Sequence, residues 1–157
     1  MKTGILTISD KGSRGERRDT SGPALKEMMR QIGGETAFAQ IVPDDIEIIS
    51  RTIEEWCDQG AEIILTAGGT GFGPRDHTPE ATRAVLDRET PGISEAIRQF
   101  GLAKTPKAML SRAISGIRKK TLIINLPGSE RGARESLEAV LHVLPHALQM
   151  MEGGEHE

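Results

Sequence analysis

The sequence predicts an α/β fold built on a mostly parallel sheet with one antiparallel strand. Three observations carry that expectation. Short β-rich apolar runs alternate with segments whose apolar residues recur at helical spacing. Leu122-Ile123-Ile124-Asn125-Leu126 is continuous enough to be a strand buried on both faces. Two short runs, 112–118 and 121–126, are joined by the basic turn Arg118-Lys119-Lys120 and read as a hairpin, which supplies the antiparallel strand.

Taken in order, Lys2 to Ser9 is the first strand, and a charged loop follows through Arg18. Thr20 or Ser21 caps a helix with Pro23 in its first turn. Leu25, Met28, Met29 and Ile32 form its apolar face, and Gly33-Gly34 stop it. A second strand runs from Thr36 to Val42 and ends at Pro43-Asp44. Asp44 and Glu47 have capping-box spacing for the next helix, traced by Ile46, Ile49, Ile53 and Trp56. Cys57 lies beside that face and reads as a buried, inert thiol, because no activating motif surrounds it. The third strand is 61–67.

A loop with four glycines follows, from Gly68-Gly69-Thr70-Gly71-Phe72-Gly73 to Arg75-Asp76, and then a helix start. Thr78 caps, Pro79 suits the first helical position, and Glu80 suits the positive end of the dipole. Ala81, Val85 and Leu86 line one side of that helix, and Thr90-Pro91-Gly92 breaks it. Ile93, Ala96, Ile97 and Phe100 mark another helix, stopping near Gly101. The last helical pattern runs from Ala133 through Leu137, Leu144 and Leu148 to Met151, kinked or restarted at Pro145. Residues 1–152 form a single domain on this reading, and 153–157 a frayed polar tail.

Composition narrows the classes of function. A net charge of −3, no Tyr, and only three Phe and one Trp argue against nucleic-acid binding, which needs basic surface and aromatic platforms. One cysteine excludes an internal disulfide framework and fits a reducing cytoplasm. No signal peptide or membrane-length apolar run is evident.

In an open α/β sheet, ligands bind beyond the carboxyl ends of the parallel strands. Here those ends carry Ser9-Asp10, Pro43-Asp44, the glycine loop with Asp76, and Pro127-Gly128-Ser129. Strand, glycine loop and helix N-terminus present backbone N–H groups to an anion. The loop lacks the Lys-Ser/Thr of a P-loop and the spacing of a dinucleotide fingerprint, and no G-x-S-x-G elbow occurs. His142 and His146 are four apart, but Pro145 interrupts their helix, so a zinc pair is disfavoured. Carboxylates crowded beside a phosphate would repel it without a cation. Mg²⁺ fits, because it binds one or two carboxylates plus substrate phosphates. Phosphoryl or nucleotidyl transfer follows.

These residues resemble the molybdopterin adenylyltransferase family, the MogA/MoaB-like proteins and the G domains of molybdenum-cofactor assembly. The resemblance spans nearly the whole chain. It rests on Ile8-Ser9-Asp10, Val42-Pro43-Asp44, Thr66 through Gly71 with Arg75-Asp76-x-Thr78-Pro79-Glu80-Ala81, Leu110-Ser111-Arg112, and Asn125 through Ser129. Ala67 stands where family members often have Thr. The resemblance implies a three-layer α/β subunit, a homotrimer, and AMP transfer from Mg-ATP to the terminal phosphate of molybdopterin, with the product passed to a molybdenum insertase. It places the catalytic aspartates at Asp44 and Asp76, which we assign as Mg²⁺ ligands or orienters rather than bases, since the attacking phosphate is already anionic. The amides of Gly69, Thr70 and Gly71 and the helix start at Thr78 are expected to hold phosphates, with Gly68 beside them as a further substrate-binding residue. Ser9, Asp10, Pro127, Gly128 and Ser129 contact substrate. Arg75 either neutralises developing charge or pairs with Asp76. A non-catalytic pterin-binding paralogue is the alternative reading. An insertase, which carries this domain within a longer chain, and a purely structural domain are less expected.

Overall fold

Alternate side chains along the strands point to opposite faces, and that alternation sets the layers. The structure, a computed structural model, describes residues 1–154, and six strands form one sheet. They are β1 Lys2–Ile8, β2 Glu35–Val42, β3 Ile63–Ala67, β4 Arg88–Glu89, β5 Ser115–Arg118 and β6 Thr121–Leu126, in the order β2-β1-β3-β6-β5-β4. Strands β2, β1, β3 and β6 pair in parallel, while β5 runs against both of its neighbours. The expected antiparallel strand is therefore β5. The two-residue β4 beside it has no signature in the apolar pattern.

The helices are α1 Asp10–Ser13, α2 Ser21–Arg30, α3 Ile46–Asp58, α4 Thr78–Arg83, α5 Pro91–Leu102, α6 Glu130–Val140 and α7 Leu144–Met151. Ile5, Ile63, Leu65, Leu122 and Ile124 face α2, α5, α6 and α7 through Leu25, Met29, Ile97, Leu137 and Leu144. Leu6, Ile8, Ile64 and Ile123 face α3 and α4 through Ile49, Ile53, Trp56 and Ala81. This is the three-layer sandwich. Each fully buried Leu or Ile contributes about 1.5–3 kcal/mol, against roughly 0–1 for a surface ion pair, so the two apolar faces hold the layers together.

Chain order makes a crevice. From β1 the chain crosses through α2 to β2 on one side, then returns through α3 to β3 on the other. The loops leaving the carboxyl ends of β1 and β3 therefore diverge, and the space between them is where such folds take ligands.

Several local expectations need correction, mostly at caps. Asp45, not Asp44, caps α3, accepting the Ile48 N–H at 3.0 Å. One position matters here, because it frees the Asp44 side chain to turn toward the crevice. Asp19 does for α2 what Thr20 or Ser21 was expected to do, accepting the Gly22 N–H at 3.0 Å. Helix α4 stops at Arg83, so Val85 and Leu86 lie in the turn beyond it. The segment Thr90-Pro91-Gly92 is the start of α5. The charged loop after β1 contains the short α1, and 3₁₀ turns stand at Pro106–Leu110 and Leu141–Val143. Pro145 restarts the last helix in its first turn, where a missing N–H costs nothing. The expected tail falls largely on residues 155–157, which lie outside the described residues.

Candidate functional site

A cavity of about 590 Å³ opens at the β1/β3 crevice. Ser9 and Asp10 from the end of β1, Asp44 from the end of β2, and Gly68 through Gly71 from the end of β3 line it. Asp76, Gly128 and Ser129 complete the predicted residues on its wall. The four strand ends do converge. Arg75, Thr78 and Pro127 stand outside the wall.

The glycines are there because carboxylates and backbone occupy the space a side chain would need. Gly68 and Gly69 have φ of 113° and 69°, the left-handed region that L side chains avoid. A β-carbon on Gly68 would collide with the Ile8 carbonyl oxygen. One on Gly69 would collide with Thr78 Oγ1 and lie 3.2 Å from Asp44 Oδ1. On Gly71 and Gly73 it would lie 2.9 and 2.8 Å from Asp76 Oδ2. The loop is thus wrapped around two carboxylates, Asp44 on one side and Asp76 on the other. The Gly73 N–H donates to Asp76 Oδ2 at 2.8 Å and sets its orientation.

The ends of β1 and β2 are locked to each other. The Asp10 N–H donates to Asp44 Oδ2 at 3.1 Å, and the Asp44 N–H donates back to Asp10 Oδ1 at 3.0 Å. Arg75 closes the lock: Nε donates to Asp10 Oδ2 at 2.7 Å, and its Nη2 donates to Asp10 Oδ1 at 3.0 Å and to the Asp44 carbonyl at 3.1 Å. Arg75 therefore pairs with Asp10, not with Asp76. Its guanidinium and the Asp44 N–H hold the Asp10 carboxyl down to about 2. The ionised lock adds stability above the ordinary carboxylate range, and that contribution fades as pH falls toward 2. Asp44 goes the other way. Burial, and then the charges of Asp10 and Asp76, push its carboxyl above the usual value.

The hydroxyls also have structural work. Ser9 Oγ caps α1 by accepting the Gly12 N–H at 2.9 Å, and Ser129 Oγ caps α6 by accepting that of Gly132 at 3.1 Å. Each keeps its O–H free to donate into the cavity. Thr78 is not a cap: His77 holds that position, and Thr78 is the first residue of α4, fully buried, with Oγ1 unpartnered.

Two residues of the site carry no role in the sequence reading. Asp19 lines the cavity and accepts the Thr7 hydroxyl at 2.8 Å, tying β1 to the start of α2. Arg112 lies behind the glycine loop. Its Nε donates to the Gly71 carbonyl at 2.8 Å, Nη2 to the Asp76 carbonyl at 2.7 Å, and Nη1 to Glu80 at 2.6 Å. Its own N–H donates to the Thr70 carbonyl at 2.8 Å. The cationic residues Lys11, Arg17 and Arg18 also reach the cavity wall. A run of charge before a capped helix is the available signal for them; Arg112 falls in the Leu110-Ser111-Arg112 stretch of the resemblance, but nothing in the sequence shows that it reaches the Gly71 and Asp76 carbonyls 41 and 36 residues away.

The donor set suits a hard cation completed by substrate. Asp44 Oδ1 and Asp76 Oδ1 accept no hydrogen bond among the described residues. No group of three or more His, Cys, Asp or Glu among the described residues could hold a metal alone. Two open carboxylate oxygens beside amide donors match Mg²⁺, which takes one or two carboxylates and fills its shell with water and phosphate oxygens.

Residues 4–146 match the family model described as a probable molybdopterin binding domain. The chain belongs to that family. It is 38% identical to the molybdopterin adenylyltransferase of Haemophilus influenzae, covering 98% of this chain and 85% of that one. It is 46% identical to Dictyostelium discoideum gephyrin, but spans only 22% of that longer protein. The molybdopterin biosynthesis enzyme MoaB of Thermus thermophilus has the same fold, with a TM-score of 0.92, 54% identity and 99% of each chain covered. Within the molybdopterin-binding-domain family, then, this chain carries its two open carboxylates at the crevice between β1 and β3.

Proposed function

We propose that this chain is a molybdopterin adenylyltransferase, transferring AMP from Mg-ATP to the terminal phosphate of molybdopterin and releasing pyrophosphate. The observation that carries the reading is the pair of open carboxylates, Asp44 and Asp76, enclosed by a loop of four glycines. Near-full-length similarity to bacterial molybdopterin adenylyltransferases supports the substrate names.

A terminal phosphate oxygen of molybdopterin attacks the α-phosphorus of ATP, forming a new phosphoanhydride bond. The α–β P–O bond breaks, and its electron pair leaves on pyrophosphate. The nucleophile is already anionic, so no side chain must remove a proton. What the chain supplies is position and charge balance. Asp44 and Asp76 would hold Mg²⁺, which would supply positive charge to offset that of the phosphate oxygens. The Gly69, Thr70 and Gly71 amides and the α6 N-terminus at Gly128-Ser129 fix phosphate oxygens, and Ser9 and Ser129 donate their free hydroxyl protons. Lys11, Arg17 and Arg18 offset the charge of the triphosphate at the mouth.

The protein works in the cytoplasm as a homotrimer and hands its adenylylated product to a molybdenum insertase. Exposed Phe72, Met109 and Leu110 offer apolar surface for the subunit contact. No helix among the described residues is long and apolar enough to cross a membrane.

The test is pyrophosphate release by the purified chain given ATP, Mg²⁺ and molybdopterin. Asp44→Asn and Asp76→Asn should each cut turnover by about a hundredfold or more while molybdopterin still binds. Molybdopterin binding without pyrophosphate release by the wild-type chain would make it a binding-only member of the family. Full turnover in either variant would remove the metal-holding role.

A further inference from the structure

We propose that Asp10 is a positioning residue that holds Arg75 off the two open carboxylates of the cation site. The inference rests on the reading of Asp44 and Asp76 as that site. The geometry is specific. Both Asp10 oxygens face the guanidinium in a two-pronged pairing, at 2.7 and 3.0 Å. Arg75 is long, exposed and adjacent in sequence to Asp76, and its Nη2 already rests on the Asp44 carbonyl at 3.1 Å. A cation so placed also feels the charges of Asp44 and Asp45, yet it forms its ion pair with Asp10.

That choice decides the chemistry of the crevice. Paired with Asp44 or Asp76, the guanidinium would occupy a carboxylate oxygen that a divalent ion needs, and its positive charge would repel the ion. Paired with Asp10, its charge is largely offset by that carboxylate, it leaves the open oxygens uncovered, and it braces the loop against the ends of β1 and β2. The Asp10 backbone contributes separately, since its N–H holds Asp44 Oδ2 at 3.1 Å and leaves Oδ1 as the free oxygen. Both oxygens of the Asp10 carboxylate are engaged by Arg75, and one of them by the Asp44 N–H as well.

Asp10→Asn keeps the backbone bond and the size of the side chain. It replaces one acceptor with an NH₂ that cannot face the Arg75 donors, so the guanidinium is released toward Asp44 and Asp76. The measurement is binding of Mn²⁺, a Mg²⁺ substitute visible by electron paramagnetic resonance, in the presence of α,β-methylene-ATP, which cannot donate AMP. Asp10→Asn should weaken Mn²⁺ binding by roughly tenfold. Adding Arg75→Gln to it should restore affinity to within about twofold of wild type, because the competing cation is gone. Arg75→Gln alone should bind Mn²⁺ at least as tightly as wild type, a result that does not depend on Asp10→Asn folding.

Unchanged affinity in Asp10→Asn, a double variant as weak as the single one, or weaker binding in Arg75→Gln would each overturn the proposal while leaving the cation site standing. Absence of Mn²⁺ binding by the wild-type chain would overturn the cation site itself, and this role with it.

Discussion

The two ends of the sheet carry cavities of similar size and opposite character. At the carboxyl end the space is about 590 Å³, and at the amino end, beneath β3 and β6, it is about 570 Å³. At the amino end several charges find partners in the chain, although Lys120 and Glu152 on the cavity wall form no ion pair among the described residues. Lys119 pairs with Asp58 at 2.7 Å, the Lys2 ammonium donates to the Gln59 carbonyl at 2.7 Å, and Glu62 accepts the Lys2 N–H at 2.6 Å. Cys57 lines that cavity, but burial pushes its thiol pKa up, so it stays protonated and inert. At the carboxyl end Asp10 is paired, and Asp44 and Asp76 are left open. Space alone does not distinguish the two ends. Unmatched charge beside backbone that admits no β-carbon does.

The sharpest way to break that contrast is to fill the carboxyl end with one methyl group. Gly69→Ala forces a left-handed L residue, and its β-carbon meets Thr78 Oγ1 and presses on Asp44 Oδ1. Backbone strain and overpacking together cost about 2–4 kcal/mol of stability. Turnover should fall more than about a hundredfold, because loop and carboxylate are displaced together. Pyrophosphate release and a thermal melt measure the two effects. Retained turnover would mean the loop does not need its close approach to Asp44.

A smaller effect should follow from loosening the loop from behind. Arg112→Lys keeps the charge but loses the fork that serves Glu80 and the Gly71 and Asp76 carbonyls at once. One ammonium cannot reach all three, and stranding a half-buried carbonyl costs about 1–3 kcal/mol. Stability should drop by about 2 kcal/mol and turnover by roughly tenfold, with more of the loss in kcat than in KM for ATP. A loss confined to stability would make Arg112 a brace for the fold and not for the site.

The contrast between the ends also shows what a sequence makes readable. The layers were legible because apolar period decides them: Ile5 against Leu6, and Ile63 and Leu65 against Ile64, divide between two faces in the structure as the strand pattern requires. The convergence of Asp10, Asp44, the glycine loop and Gly128-Ser129 was legible because parallel strands all end on one side. The pairings were not. Whether Asp44 or Asp45 caps α3 turns on one residue of register, and both are aspartates. Arg75 pairs with Asp10 and not with its neighbour Asp76, because the register of β1 against β2 brings Asp10 beside Asp44 at the rim. Arg112 stands within Leu110-Ser111-Arg112, but two of its partners are backbone carbonyls, and those pairings leave no mark in a sequence.

The smallest effect belongs at the amino end, where the contrast says nothing catalytic should happen. Among the described residues Lys119 is the one non-glycine residue with positive φ, 53°, at the turn between β5 and β6. Holding an L residue there costs about 1–2 kcal/mol, which glycine would relieve. Glycine gives back about 0.5–1 kcal/mol through greater freedom of the unfolded chain, and the lost pair with Asp58 is exposed and screened by solvent. Lys119→Gly should therefore be neutral to slightly stabilising, with Tm unchanged or slightly raised. Pyrophosphate release should not change. A drop in turnover with Tm unmoved would show that the amino end is coupled to the site across the length of β3 and β6, and the division of labour between the two ends would then fail.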